Sequence, residues 1–125
     1  MPATPRVLLV DDEELVLSAL RRTLRREPYE IEVATNGTRA LERLGLDPPF
    51  DLVISDYKMP GMTGLELLTR VRSTSGETRR ILLSGWVSEL SKVEIAAAGL
   101  HATLSKPWDD AELKSTIRQA LGLGT

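Results

Sequence analysis

The sequence contains no cysteine, and this absence excludes several classes of protein at once. A disulfide framework, a thiolate metal site and a cysteine nucleophile all require thiols, so the chain can contain none of them. Long hydrophobic runs are also missing, because no segment approaches the roughly 18 consecutive apolar residues of a membrane span. We therefore expect no membrane association and no signal peptide. These absences favour a location in the cytoplasm.

Acidic residues outnumber basic residues only slightly. The 16 Lys and Arg residues against 18 Asp and Glu residues give a net charge of −2, without a long basic run. A nucleic-acid surface needs concentrated positive charge, so we expect no direct contact with DNA or RNA. The 42% of hydrophobic and 27% of charged residues are typical of a soluble globular protein. The length of 125 residues predicts one domain, which we take as residues 1–125.

Short apolar runs alternate with helical stripes along the chain, and this alternation predicts the fold. Apolar residues recur at helical spacing in four segments, for example at Leu17, Leu20 and Leu24. The runs between the helical segments are apolar enough for buried strands, and they cover residues 6–10, 29–34, 51–55, 80–84 and 101–105. Five βα units of this kind predict an α/β fold, a doubly wound parallel sheet with helices on both faces.

The segment 88–98 is a weaker candidate for a helix. Leu90, Val93, Ala96 and Ala97 would give this helix only a narrow apolar face of mostly small side chains. A helix anchored so weakly could move relative to the sheet.

Polar residues follow the predicted strands at their carboxyl ends, where doubly wound sheets bind ligands. They are Asp11 and Asp12 after the first strand, Asp56 after the third, Ser84 at the end of the fourth and Lys106 after the fifth. Three carboxylates brought together would repel one another unless a cation lay among them, and Mg²⁺ prefers hard oxygen ligands. Capping of the following helix explains the acidic run at 11–14 equally well when that run is taken alone. Capping does not explain the residues at the ends of other strands.

Four segments of the sequence, in order, resemble the receiver domains of response regulators in two-component signalling, such as the chemotaxis regulators. They are VLLVDDE at 7–13, DLVISDYKMPGMTG at 51–64, ILLSG at 81–85 and SKPW at 105–108. The resemblance extends over essentially the whole chain. It implies the flavodoxin-like receiver fold, which has five strands in the order 2-1-3-4-5 and five helices.

The resemblance also implies a function. Receivers of this family accept a phosphoryl group from a histidine kinase or phosphotransfer protein on the aspartate that corresponds to Asp56. Asp11, Asp12 and Asp56 would hold Mg²⁺, with the backbone carbonyl of Lys58 as a further ligand. The phosphorylated protein would change conformation and control an output domain or effector protein. It would be a signalling switch that catalyses only its own phosphorylation and dephosphorylation, as a monomer or a phosphorylation-dependent dimer.

The residue types near Asp56 suit this chemistry. Lys106 would hold one phosphoryl oxygen with a compact positive charge, and the Ser84 hydroxyl would donate to another. Gly85 has no side chain and would leave the approach to Asp56 open, although an ordinary turn glycine explains it equally well. In similar receivers the peptide bond between the lysine and the next residue, here Pro107, is cis.

Four positions concern either the lifetime of the phosphoryl group or the way in which its presence is read out. Trp86 and Lys58 flank the site, and we predict that Trp86 shields the phosphoryl group from water; the alternative is packing over the fourth helix. Thr103 occupies the position where similar receivers have an aromatic residue that turns inward during the switch. Thr63 replaces a usual Asp in the loop 59–64, for which we expect a small effect. The sequence therefore departs from the family in the readout rather than at the phosphorylation site.

Three other functions are compatible with such a fold. A flavin- or nucleotide-binding module would place Gly, Ser and Thr after the first strand, where acidic residues would repel a phosphate. A hydrolase that forms an aspartyl phosphate would need a second carboxylate for acid-base chemistry, which the segment 56–58 lacks. A receiver that works as an interaction module without phosphorylation is the third alternative, and the intact set of polar residues argues against it.

Overall fold

The computed structural model of the chain describes residues 4–46, 48–85 and 90–124. Within these residues five strands alternate with five helices. The strands are β1 (Arg6–Val10), β2 (Glu30–Ala34), β3 (Leu52–Ser55), β4 (Arg79–Ser84) and β5 (Ala102–Ser105). The helices are α1 (Glu14–Thr23), α2 (Gly37–Leu44), α3 (Gly64–Thr74), α4 (Lys92–Ala98) and α5 (Asp110–Leu121).

All neighbouring strands pair in parallel, in the order β2-β1-β3-β4-β5. The predicted doubly wound α/β fold is therefore confirmed, together with its strand order. Because the strands run in one direction, their carboxyl ends all lie at the same edge of the sheet. Residues that follow β1, β3, β4 and β5 meet at this edge.

The sheet is covered on both faces, and the inner strand β1, which lies between β2 and β3, illustrates the arrangement. Val7 and Leu9 belong to the core that α1 and α5 cover, whereas Leu8 and Val10 belong to the core that α2, α3 and α4 cover. Successive strand residues point to opposite faces, so both sets must be apolar. Full burial of one such side chain contributes about 1.5–3 kcal/mol. The unbroken apolar runs in the sequence follow from this two-sided burial.

Four strands begin one residue away from their predicted starts. The predicted strands 29–34, 51–55 and 101–105 begin one residue later, and the predicted strand 80–84 begins one residue earlier. Hydropathy does not report where ladder hydrogen bonds begin. Tyr29 is buried although it precedes β2, and Arg79 is exposed although it pairs with Leu52.

The predicted apolar face of the fourth helix is wrong for Val93, Ala96 and Ala97, although Leu90, which precedes α4, packs against the core. Val93 is 78% exposed, and Ala96 and Ala97 are also exposed. The helix instead contacts the core through buried Ala98 and half-buried Ile95, which lie three residues apart on one face. In a helix of seven residues, small apolar side chains occur on every side, so their spacing did not identify the packed face.

Side-chain caps define the starts of several helices. Thr63 accepts a hydrogen bond from the Glu66 backbone N–H at the start of α3, and the Glu66 carboxylate reciprocates in a capping box. Threonine therefore caps this helix in place of the usual aspartate. Asp109 caps α5 in the same way, since its side chain accepts a hydrogen bond from the Glu112 backbone N–H. None of the described helices is long and apolar enough to cross a membrane.

Two arginines hold the carboxyl end of α4. Arg72 from α3 donates hydrogen bonds of 3.1 Å to the carbonyls of both Ala96 and Ala97. Arg80 from β4 donates through Nε to the carbonyls of Ala98, at 2.9 Å, and of Gly99, at 3.1 Å. The last carbonyls of a helix lack partners within it, so these guanidinium groups satisfy acceptors that would otherwise need water.

Candidate functional site

Three aspartates lie together at the carboxyl edge of the sheet. Asp11 and Asp12 follow β1, Asp56 follows β3, and each offers a carboxylate oxygen within 4.8 Å of the others. Asp11 is 2% exposed and Asp56 is 8% exposed, whereas Asp12 is open to solvent. The prediction that these side chains converge is correct. A set of carboxylate oxygens that is partly buried and open on one side suits a hard divalent cation such as Mg²⁺.

Lys106 contacts two of these aspartates from the end of β5. Its Nζ donates a hydrogen bond of 2.7 Å to Asp11 Oδ2 and lies 3.3 Å from Asp56 Oδ1. The Lys106 N–H also donates to the Ser84 carbonyl, at 3.2 Å, where β4 and β5 end side by side. The peptide bond to Pro107 is cis, as the resemblance implied, and Pro107 is exposed. The ammonium therefore lies between the phosphoacceptor candidate and its neighbouring carboxylate.

Burial and neighbouring charge shift the titration of this pair. Burial raises the pKa of the Asp56 carboxyl, the Lys106 ammonium opposes the rise, and the Asp11 carboxylate adds to it. Burial alone would lower the pKa of Lys106, but its hydrogen bond to Asp11 and the charges of Asp11 and Asp56 raise it. Lys106 therefore stays protonated at neutral pH. The carboxylate cluster has a shortage of positive charge that a metal ion would correct.

Helix capping does not account for the acidic run after β1. The N-cap residue of α1 is Glu13, and its side chain makes no capping hydrogen bond. Asp11 accepts a hydrogen bond of 2.9 Å from the Glu13 backbone N–H, which leaves its other oxygen on Lys106. The alternative that the sequence left open for this run is therefore not favoured.

Two further predicted residues, Lys58 and Gly85, line a cleft of about 550 Å³ above Asp56. Its lining includes Asp12, Asp56, Lys58, Gly85 and Lys106. A Cβ added at Gly85 would meet only the Lys106 carbonyl, at 3.9 Å, so the backbone there does not require glycine. An open cleft of this size would admit a phosphoryl donor.

Three predicted residues differ in their relation to this cleft. Ser84 is 1% exposed and ends β4 beside Ser105 of β5. Thr103 is exposed on β5, opposite Leu82 of β4. Trp86 lies outside the described residues.

Two residues that support Asp56 were not singled out from the sequence. The Ser55 hydroxyl donates a hydrogen bond of 2.8 Å to the Asp56 carbonyl, and Ser55 is fully buried. Gly64 lies so close that a Cβ added to it would be 1.9 Å from the same carbonyl oxygen. Gly64 stands in the quoted segment 51–64, but nothing in the spacing indicated what it contacts.

The fold and the acidic site together define the class of receiver-type signalling domains. The profile of the family described as "Response regulator receiver domain" matches residues 7–118. The chain belongs to this family.

Individual relatives agree with this assignment. The hydrogenase transcriptional regulatory protein HoxA of Cupriavidus necator is 38% identical over 116 residues, which are 92% of this chain and 24% of HoxA. The receiver domain of an HD domain-containing protein from Pseudomonas fluorescens has a TM-score of 0.87 at 39% identity, with 96% of each chain covered. Response regulator TrrA of Thermotoga maritima, solved in complex with Mg²⁺-BeF, has a TM-score of 0.85 at 33% identity, covering 94% of this chain and all of TrrA. The chain spans half the length or less of the curated relatives that it matches first.

Proposed function

We propose that Asp56 accepts a phosphoryl group from a histidine kinase or phosphotransfer protein in a Mg²⁺-dependent reaction. The observation that carries the proposal is the position of the Asp56 carboxylate, 3.3 Å from the Lys106 ammonium and within 4.8 Å of ligand atoms on Asp11 and Asp12. A carboxylate that must attack an anionic donor needs positive charge beside it, and this site supplies it. The complex of the relative TrrA with Mg²⁺-BeF supports the choice of metal.

The metal ligands in this proposal are Asp11, Asp12, Asp56 and the backbone carbonyl of Lys58. Asp12, Asp56 and Lys58 all line the cleft. Bound Mg²⁺ would neutralise negative charge on the oxygens of the incoming phosphoryl group. The carboxylate donor set fits the ion because Mg²⁺ takes oxygen ligands and retains water at open positions.

The chemical step forms one bond and breaks one bond. An Asp56 carboxylate oxygen attacks phosphorus, the bond from phosphorus to the donor atom breaks, and the donor leaves with that electron pair. Lys106 holds a phosphoryl oxygen by moving its ammonium from the carboxylates towards the new charge. The Ser84 hydroxyl donates to a second oxygen, and the Gly85 backbone N–H faces the group from the cleft wall. A small donor such as acetyl phosphate releases acetate.

Phosphorylation then acts as a switch. It adds nearly two negative charges beside Ser84 and Lys106, which draws both groups towards Asp56 and shifts the loops after β4 and β5. Thr103 is exposed and has no aromatic ring to turn inward, so the readout uses the repositioned loops and Lys106. Pro107 fixes the backbone that carries this lysine.

The chain acts as one receiver domain over residues 1–125 and passes its signal to an output domain or effector protein. Relatives such as HoxA are transcriptional regulators that are longer than this chain, which supports an attached or separate output function. The monomeric or phosphorylation-dependent dimeric state and the cytoplasmic location stay predictions.

Intact-mass measurement after incubation with acetyl phosphate and Mg²⁺ tests the proposal. We expect wild type to gain one phosphoryl group and Asp56→Asn to gain none, because the amide is not a nucleophile. Omission of Mg²⁺ should abolish the gain. A wild-type protein that stays unmodified with both acetyl phosphate and a histidine kinase would instead favour the interaction module that works without phosphorylation.

A further inference from the structure

The peptide group that joins Asp56 to Tyr57 is held at both of its edges. On the carbonyl edge, the Ser55 hydroxyl donates a hydrogen bond of 2.8 Å to the Asp56 oxygen. On the amide edge, the Tyr57 N–H donates a hydrogen bond of 2.9 Å to Asp56 Oδ1. The Asp56 carboxylate thus accepts a hydrogen bond from the same peptide group whose carbonyl Ser55 holds.

The two edges cannot turn independently. A peptide group is planar, with its carbonyl and its N–H on opposite sides, so fixing the direction of one fixes the other. Oδ1 is also the oxygen that lies 3.3 Å from Lys106 Nζ. Because the Tyr57 N–H and the ammonium both act on this oxygen, the direction of the N–H helps to set the rotation of the whole carboxylate.

The surroundings of the Asp56 carbonyl explain why a hydroxyl is needed there. Gly64 presses against it, since an added Cβ would lie 1.9 Å from the oxygen and 2.8 Å from the carbonyl carbon. Ser55 is 0% exposed, and the Gly64 N–H is used on the Tyr57 carbonyl, at 2.8 Å. A carbonyl enclosed in this way needs a protein donor, because an unsatisfied buried acceptor is costly.

We propose that Ser55 is a positioning residue for phosphorylation, which orients the Asp56 carboxylate through the Asp56–Tyr57 peptide plane. The inference rests on the proposed function of Asp56 as phosphoacceptor. Loss of the Ser55 hydroxyl lets the peptide plane rotate, which turns the Tyr57 N–H away from Oδ1. The carboxylate then spends less time in the orientation for attack, while the donor-binding groups around the cleft are unchanged.

Phosphorylation kinetics with acetyl phosphate at saturating Mg²⁺ separate positioning from binding. For Ser55→Ala we expect the maximal rate to fall about tenfold, with the half-saturating donor concentration changed by less than about twofold. The Tyr57 amide proton should move upfield in an NMR spectrum of the unphosphorylated protein, because it loses a charge-assisted hydrogen bond. Ser55→Cys, whose thiol is a weak donor, should lie between wild type and Ser55→Ala in both measurements.

Thr78→Val is the matched control. The Thr78 hydroxyl donates a hydrogen bond of 2.9 Å to the Phe50 carbonyl, and Thr78 is 3% exposed. This bond therefore also joins a buried hydroxyl to a backbone carbonyl, but at the opposite end of β3. We expect Thr78→Val to lower stability as much as Ser55→Ala does, with wild-type kinetics and an unmoved Tyr57 amide proton.

The outcomes separate this inference from the proposed function. A wild-type maximal rate in Ser55→Ala, or an equal loss in Thr78→Val, would overturn the positioning role. If Ser55→Ala does not fold, a wild-type rate in Ser55→Cys overturns it in the same way. Failure of the wild-type protein itself to gain a phosphoryl group contradicts the proposed function. In that case the Tyr57 amide shift in Ser55→Ala still tests whether Ser55 orients the peptide plane.

Discussion

At the scale of single residues, the buried carboxylate of Asp56, the phosphoacceptor candidate, destabilises the metal-free fold. Asp56 is 8% exposed and its pKa is raised by burial, with Lys106 opposing and Asp11 adding to the rise. We expect Asp56→Asn to increase the free energy of unfolding at pH 7 in EDTA by roughly 0.5–2 kcal/mol, measured by urea denaturation. Lys106 keeps its hydrogen bond to Asp11 in this variant, so no buried charge loses its only partner.

The same pKa shift fixes the pH dependence of that difference. A raised carboxyl pKa means that the folded state binds the proton more tightly than the unfolded chain does. The stability that protonation of Asp56 gives to the folded protein is therefore complete below the unfolded pKa of about 3.9. This contribution is lost as the pH rises through the folded pKa. We expect the advantage of Asp56→Asn to narrow as the pH falls towards 4. Glu77→Gln, at an exposed turn, is the control and should change stability by less than about 0.5 kcal/mol at any pH.

Gly64 is required by space rather than by backbone conformation. A methyl group there would meet the Asp56 carbonyl at 1.9 Å, and backbone cannot yield as a flexible side chain does. We expect Gly64→Ala to destabilise the protein by about 2 kcal/mol or more and to reduce phosphorylation strongly, because the loop that carries Asp56 must move. Gly45→Ala is the control, since its added Cβ would have no neighbour nearer than 3.6 Å. Wild-type phosphorylation in Gly64→Ala would contradict the close contact.

At the scale of elements, the sequence predicted what apolar burial controls and missed what specific polar contacts control. The inner strands β1, β3 and β4 were recognisable because both of their faces are buried, and Leu17, Leu20 and Leu24 marked a packed helix because they lie in the core. For α4, whose orientation depends on Arg72 and Arg80 reaching its carbonyls, the predicted face was wrong. No periodic pattern records a hydrogen bond between a side chain and a distant backbone carbonyl.

The arginine contacts predict where α4 is held. Arg72 donates to two carbonyls at the carboxyl end of α4, while the first three residues of α4 are exposed. We expect Arg72→Ala to accelerate amide hydrogen exchange in α4 about tenfold, without a comparable change in α1 or α5. Arg70 is an exposed arginine that also lies in α3, so Arg70→Ala is the control and should leave exchange in α4 unchanged. Equal acceleration in the two variants would show that α3, rather than the contact with α4, determines the exchange.

At the scale of the whole molecule, the parallel sheet explains why the site could be predicted before its geometry was known. Asp11, Asp56 and Lys106 are far apart in sequence, yet each follows a strand, and one edge collects them all. Their pairing could not be predicted, since strand ends give position without side-chain direction. The support of Asp56 by Ser55 and Gly64 was hidden for the same reason.

The proposed Mg²⁺ site would couple metal binding to global stability, because the aspartates that would hold the ion come from segments that only the folded sheet brings together. A ligand that binds only the folded state stabilises it by about 2.7 kcal/mol at a free concentration 100 times its Kd. We expect such a concentration of Mg²⁺ to raise the melting temperature of the wild-type protein by about 10 °C, and EDTA to reverse the rise. Asp12→Asn should remove most of this shift, because Asp12 is exposed and its loss leaves the bond between Asp11 and Lys106 intact. Sodium chloride at matched ionic strength controls for screening among the carboxylates, and an equal shift with that salt would mean that the aspartates respond to general charge screening rather than to a bound ion.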